Sequence, residues 1–463
     1  MKKFNVVSCM VITVLLSKIS VADDFEIDEN ALFGDTALSI VDSSELVDAS
    51  ESLKGIDSTV VAFSGEVTGV GEAAASRDWF KNRDRKEIKP GALMLGDLML
   101  DVRFPFGIKT FADMEIYAAP KNGGISFNNP DNYFSPDSMA GFTIAVPELF
   151  LDANVNRRMY FRAGKQVLQW GRGYFWNPTD LVNVEKKQFV EKVGSREGTY
   201  GIKTHIPFGT RWNIYSFIDM NDLASVDDLA GAVRFEGLFG GTEAGIALWG
   251  KPHRDPIFGF DFSTSILSWS VYGEMSITRA GNLIDTTLIS LFEIGNSKID
   301  KPAVRLSAGF MRMFDVLDVD DRVMVIGEFY FNQVGDRGNA IEKFHLGDLI
   351  ENQGNQSLSD SSIIGTDLLG KLSGSFEFNS VAQYYSAFFV TVSKFILYDM
   401  TLQLNGLVNW NHRCAMLTAG VNYTTLHNFS LGFQVTGVVG PEESEYTLMG
   451  TGGTARLTAG VTF

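Results

Sequence analysis

Alternation of apolar and polar residues constrains this chain more than any other feature. In Met400-Thr401-Leu402-Gln403-Leu404-Asn405 the two kinds exchange strictly, and Val408 and Trp410 continue the apolar face. Phe429, Leu431, Phe433 and Val435 alternate with Ser430, Gly432, Gln434 and Thr436. Ala415, Leu417, Ala419, Val421 and Tyr423 alternate with Met416, Thr418, Gly420, Asn422 and Thr424. Successive side chains of a strand point to opposite faces, so each segment has one apolar face and one small or polar face. Similar segments recur near 93–104, 108–118, 143–153, 159–168, 199–206, 211–220, 230–238, 242–250, 258–266, 268–278, 303–313, 322–332 and 384–395.

A soluble sandwich would turn its apolar faces inward. Here the polar faces carry Gly, Ser, Thr, Asn and Gln rather than the Lys and Glu of a water-facing surface. Strands of about ten residues with aromatics at their ends match an outer-membrane barrel and its aromatic girdles; Tyr160, Trp212, Trp269, Trp410 and Tyr423 are such residues. An open sheet edge in lipid leaves backbone groups unsatisfied, so the sheet must close. The pattern predicts an all-β, transmembrane antiparallel β-barrel over 58–463. Counting from Val60 gives eighteen strands, with sixteen the next best count; 286–294 is assigned to a loop, because an odd total would put the termini on opposite sides. Tight turns at Pro105-Phe106-Gly107, Pro207-Phe208-Gly209, 395–400 and 425–429 mark the periplasmic side, and loops near 70–92, 119–142, 168–198, 333–383 and 439–453 the other. Leu457, Ala459, Val461 and the final Phe463 look like the terminal strand read by the barrel-assembly machinery.

The N-terminus fits this compartment. Lys2 and Lys3, the apolar run Val6 to Leu16 and Ser20-Val21-Ala22 read as a signal peptide over residues 1–22. That run is too short to span a bilayer, and no stretch of about 18 apolar residues follows it. Residues 23–57 hold eleven acidic side chains against one lysine and predict an acidic arm in the periplasm. A net charge of −17 also argues against nucleic acid as a partner. With Cys9 in the segment expected to be removed, Cys414 has no disulfide partner.

Residues 159–193 break the plain pattern. Gln169 to Asp180 contains Trp170, Tyr174, Phe175, Trp176, two glycines and Asn177-Pro178, the composition of a compact, specifically folded loop. Thr179 or Asp180 is placed to cap a short helix running to Phe189 and carrying Lys186 and Lys187. If Phe161, Ala163 and Val167 face lipid, then Tyr160, Arg162, Gly164 and Gln166 face the lumen, sparing Arg162 a cost of roughly 2–4 kcal/mol near mid-membrane. Gly164-Lys165-Gln166-x-x-x-Trp170-Gly171 followed by Asn177-Pro178-x-Asp180 resembles the motif of a group of bacterial outer-membrane porins. The wider architecture is similar to the alginate-export type of eighteen-stranded barrel. The resemblance implies an inward loop narrowing a pore. Arg162, Gln166, Arg172, Lys186 and Lys187 would form a basic side of that constriction, and Trp170, Tyr174, Trp176, Asn177 and Asp180 are its other candidate residues. Asp113, Glu115, Glu236, Glu274 and Glu328 are the opposing carboxylates, and both charge signs would orient dipolar solutes. The plainer alternative is that these charges satisfy one another in a hydrated interior.

Other motifs carry less. Gly365 to Leu372 nearly spells a phosphate loop but lacks the Ser or Thr after Lys371. Asp315, Asp318, Asp320 and Asp321 offer oxygens for Ca²⁺, although an acidic turn is the plainer reading. The five histidines have no metal-ligand spacing, and neither G-x-S-x-G nor H-E-x-x-H occurs. His412 near Asn409 and Asn411 is the nearest approach to a hydrolase site. The reading is therefore a non-enzyme without cofactors, a diffusion channel for small hydrophilic or amphipathic solutes in outer-membrane lipid. A homo-oligomer is compatible with it. The alternatives are a plugged surface barrel acting as an adhesin or structural protein, and a transporter of hydrophobic solutes.

Overall fold

The computed structural model describes residues 59–76, 88–105, 107–120, 141–183, 198–221, 229–280, 301–338, 379–425, 428–441, 444–447 and 451–463. The expected signal peptide and acidic arm, segment 286–294, and Lys186 and Lys187 lie outside these residues, as does Phe106.

Eighteen antiparallel strands form one closed sheet. They are β1 (Val60–Ser76), β2 (Ile88–Phe104), β3 (Ile108–Ala119), β4 (Gly141–Val155), β5 (Met159–Gln166), β6 (Thr199–Phe208), β7 (Trp212–Asp219), β8 (Ala230–Phe239) and β9 (Thr242–Gly250). The ring continues with β10 (Ile257–Ile266), β11 (Trp269–Arg279), β12 (Pro302–Val316), β13 (Val319–Asn332), β14 (Tyr384–Val392), β15 (Met400–Asn409), β16 (Cys414–Thr424), β17 (Phe429–Val439) and β18 (Thr451–Thr462). Each strand pairs with its sequence neighbours, and β1 pairs with β18 to close the ring. At the seam the Phe463 N–H donates to Gly65 O (2.8 Å) and the Gly65 N–H to Phe463 O (2.9 Å). Among the described residues no helix is long and apolar enough to cross a membrane.

The alternation reads outward. Phe433 of β17 lies opposite Leu457 of β18, and both are about half exposed on the outer face (52% and 53%). The intervening hydroxyls point the other way, where Thr418 and Thr436 hydrogen-bond at 3.0 Å. An apolar exterior with polar groups inside is the arrangement that hydrocarbon demands. Several aromatic rings cover glycines on the neighbouring strand. Phe310 lies over Gly327, Phe388 over Gly406 and Trp212 over Gly237, each pair in register across a ladder. Such cover replaces the side-chain contact that glycine lacks.

The turns that follow the even-numbered strands are tight and lie at the end holding both described termini, whereas the other end carries the longer connections and one tight turn, 410–413. Asn156 and Arg157, Leu267 and Ser268, and Leu317 and Asp318 are consecutive left-handed pairs, the geometry that matches strand twist in a two-residue hairpin. Three expectations need correction. The loop placed near 70–92 is mostly strand, because β1 runs to Ser76 and β2 starts at Ile88; Gly71 and Ala73 to Ala75 hide the alternation behind small side chains. Tyr160 belongs to the interior and not to a girdle, since its ring stacks on His205 at 5.9 Å. No helix starts at Thr179 or Asp180 among the described residues; successive turns occupy 179–183 instead.

Candidate functional site

Gln166 ends β5, and the chain then turns into the barrel and runs along the inner wall. Leu168, Trp170, Leu181 and Val182 bury themselves against Phe217, Ala230, Ala232, Ala247, Trp249 and Ile257, which come from β7 to β10. The small alanines on that arc leave room for the loop. Trp176, at the far end, packs with Tyr330, Tyr385, Ala382 and Ala387 near β13 and β14. The segment thus covers the inside of an arc from β7 to β14.

Polar backbone groups of a loop leaving water need partners, and the wall supplies them as carboxylates. Glu274 of β11 accepts from the N–H groups of Arg172, Gly173 (2.7 Å) and Thr179 (3.1 Å) and from the Thr179 hydroxyl (2.8 Å). Glu328 of β13 accepts from the N–H groups of Tyr174 (2.8 Å), Phe175 (3.2 Å) and Trp176 (2.7 Å), from the Tyr272 hydroxyl (2.7 Å) and from Ser307 Oγ (2.9 Å). Within the loop, Asp180 accepts from the Trp170 N–H (2.9 Å) and from Asn183 Nδ2 (2.8 Å). A Cβ at Gly171, whose φ is +116°, would press on Asn177 Oδ1 and Glu274 Oε1, each at 2.8 Å. That crowding is the physical reason for glycine after Trp170.

Arg172 is clamped by three carboxylates. Its Nε reaches Asp261 (3.2 Å), Nη1 Glu243 (2.6 Å) and Nη2 Glu236 (2.9 Å). Arg234 shares two of them, with Asp261 at 2.5 Å and Glu236 at 2.9 Å. Burial works against the Arg172 charge, but Glu236 and Asp261 outweigh it and hold its pKa above the ordinary arginine value.

Arg162 faces the lumen, where it grips Asp152 through two bonds (2.7 and 3.0 Å) and lies 3.8 Å from the centre of the Phe150 ring. Gln166 is fully buried and donates to Gly201 O (3.1 Å). Asp113 and Glu115 stand on the inner face of β3, where the Tyr117 hydroxyl donates to Glu115. In the ring order β3 lies across from β12, so these two carboxylates face the arc that carries the loop. Glu236, Glu274 and Glu328 do not stand opposite the loop, contrary to expectation; they hold it, because its N–H groups and Arg172 need acceptors. Arg162 and Arg172 are likewise separate, each neutralised by its own wall carboxylates. Asn177 contributes an Oδ1 that is buried without a hydrogen-bond partner.

Arg234, Glu243, Asp261 and the three alanines were not legible as site residues. Their inward parity was visible in the alternation, but nothing in it says which inward residues a loop will meet. Among the described residues no group of three His, Cys, Asp or Glu has metal-binding geometry. His412 contacts Asp336 through Nε2 (3.2 Å) and receives no serine hydroxyl in the described hydrogen bonds.

No family model matches the sequence, and no curated protein does. Solved structures do match by fold. OccK9 (OpdG) of Pseudomonas aeruginosa superposes with TM-score 0.52 at 8% identity, over 87% of this chain and 98% of that one. OccAB1 of Acinetobacter baumannii gives 0.51 at 10% identity, over 87% and 96%. A BenF-like porin from Pseudomonas fluorescens Pf-5 gives 0.51 at 9%, over 87% and 98%. At such identities the likeness establishes the architecture: this chain has the closed eighteen-stranded barrel fold that these porins share.

Proposed function

We propose that the chain is an outer-membrane porin through which small hydrophilic or amphipathic solutes diffuse, with loop 168–193 narrowing the pore. The carrying observation is the grip of Glu274 and Glu328 on the loop backbone inside the barrel. A charged acceptor bonded to several N–H groups contributes about 1.5–3 kcal/mol per bond, so the described part of the loop is a fixed lining. Selectivity then follows from pore radius and from lumenal charge that the wall does not neutralise. Asp113 and Glu115 stand on the opposite arc of the inner wall. The same reading assigns residues 1–22 to export, 23–57 to a periplasmic arm, and Leu457, Ala459, Val461 and Phe463 to recognition by the assembly machinery.

The test is single-channel recording in planar bilayers with KCl, comparing the refolded mature chain with a deletion of Trp170 to Lys192. Discrete steps that grow on deletion are expected. A tight membrane with no steps in either protein would refute the channel, and equal steps in both would refute the constriction.

A further inference from the structure

The outer surface carries a cation that the channel does not use. On β12 the inward positions are Arg305, Ser307, Gly309 and Met311, as the Ser307 bond to the lumenal Glu328 shows. Arg312 is therefore on the outward face, with Phe310 and Phe314. Its guanidinium lies 5.0 Å from the ring centre of Trp269 and 4.8 Å from that of Phe314. Trp269 in turn meets Phe310 (5.4 Å) and Phe314 (6.2 Å) edge to face. The rings of Trp269 and Phe314 frame the cation within cation–π distance. No carboxylate within ion-pair distance holds Arg312 among the described residues, and its Nε is buried with no hydrogen-bond partner.

Depth explains how the residue is tolerated. Trp269 follows directly on the turn at Leu267 and Ser268, and β12 ends at Val316. Arg312 therefore sits toward the end that carries the tight turns and both termini. There the penalty for a lipid-facing arginine falls toward that of the interface, where aromatic rings and long cationic side chains meet phospholipid headgroups. An unpaired guanidinium at that level has one abundant partner, the headgroup phosphate, which arginine binds through two parallel N–H donors. Beyond Phe314 the hairpin ends in exposed Asp315, Asp318, Asp320 and Asp321. Their charge repels a net anionic headgroup and suits one whose ammonium extends past its phosphate toward water.

We propose that Arg312, framed by Trp269 and Phe314, is a binding site for the phosphodiester of an amine-bearing phospholipid in the leaflet on the turn side. The lipid would seat its phosphate on the guanidinium, its ammonium near the acidic hairpin end and its chains along the apolar strands.

Native mass spectrometry of the full barrel released from detergent tests this, with phosphatidylethanolamine or phosphatidylglycerol added and inorganic phosphate as competitor. The wild type should retain phosphatidylethanolamine in preference to phosphatidylglycerol. Occupancy should fall about tenfold in Arg312→Gln, the loss of one charge-assisted contact. Arg312→Lys should fall between the two, because ammonium cannot make the paired contact. Trp269→Leu keeps the charge and should weaken binding less than Arg312→Gln. Unchanged heat-dependent gel migration will confirm that each variant barrel is folded. Equal lipid retention by wild type and Arg312→Gln would overturn the site. Displacement by inorganic phosphate at equal concentration would overturn the lipid assignment, and a preference for phosphatidylglycerol would overturn the part given to the acidic hairpin.

Discussion

The indole of Trp176 lies parallel to the ring of Tyr330, with centroids 5.3 Å apart and planes 5° apart. Its Nε1 also donates to Asn379 O at 2.8 Å. The end of the inward loop is thereby fastened to β13 and to the segment preceding β14. Trp176→Ala should weaken this docking by about 3–5 kcal/mol, the usual cost of deleting a buried Trp. Hydrogen exchange at Tyr174 to Thr179 should accelerate while the strands keep their protection. Unaltered exchange there would mean that Glu274 and Glu328 hold the loop without the indole.

Glu328 offers the complementary experiment. Five donors converge on its carboxylate, and Gln would bring an NH₂ to face them. Glu328→Gln should therefore loosen the loop nearly as much as Glu328→Ala, and Glu274→Gln combined with it should raise single-channel conductance toward that of the loop deletion. Wild-type conductance in the double variant would show that packing suffices without the carboxylates.

Arg172 tests the charge network. Its removal leaves Glu236 and Asp261 on Arg234 and takes from Glu243 its ion pair. Breaking a buried pair costs about 3–5 kcal/mol, and the lumen becomes one charge more negative. Arg172→Ala should shift the reversal potential in a KCl gradient toward cation selectivity. Lys cannot serve three carboxylates with three separate nitrogens, so Arg172→Lys should restore the charge and not the loop. Full rescue by Lys would contradict the geometry.

A pH dependence follows from Glu445, in the turn 444–447 above the strands. Its carboxylate is fully buried and accepts from the Asn379 N–H (2.6 Å), the Tyr385 hydroxyl (2.9 Å) and Asn409 Nδ2 (2.6 Å). Burial raises its pKa above the ordinary 4.5, and the nearby His412 charge offsets this only in part. A raised folded value means that the protonated form favours the docked turn. The stabilisation is complete below 4.5 and is lost as pH rises through the folded value. Buried Cys414 packs beneath this turn, close to Ser444 and Gly440, so its labelling by a thiol reagent reports opening. The labelling rate of wild type relative to Glu445→Gln should climb with pH, and a constant ratio would rule the linkage out.

Much of the barrel could be read from period two, because the membrane forces a strict sidedness on every strand. Reading failed where side chains are too small to show a side, as at Ala73 to Ala75, and where a hairpin turn lacks its usual residues. Leu267-Ser268 and Leu317-Asp318 adopt left-handed pairs with no Gly or Asn, at a local cost of about 1–2 kcal/mol per residue. The loop was legible as a compact element from its aromatics and glycines, and its inward course was what the resemblance implied. Its partners were not, because Glu274 and Glu328 look like any other inward carboxylates until the chain has folded. Thr179 illustrates the limit. Its sequence position suits a helix cap, yet its hydroxyl donates to Glu274 instead of accepting from the backbone.

Every strand pair but one is a meeting of sequence neighbours, and the exception is the junction of Gly65 with Phe463. Local hairpins can form early, whereas that junction must bring together the two most distant parts of the sheet and carries the largest loop-closure entropy. Until it forms, β1 and β18 are bare edges able to recruit foreign strands. The seam is therefore the pairing with the highest entropic cost in the barrel, and the one whose strands stay open to wrong partners until it closes.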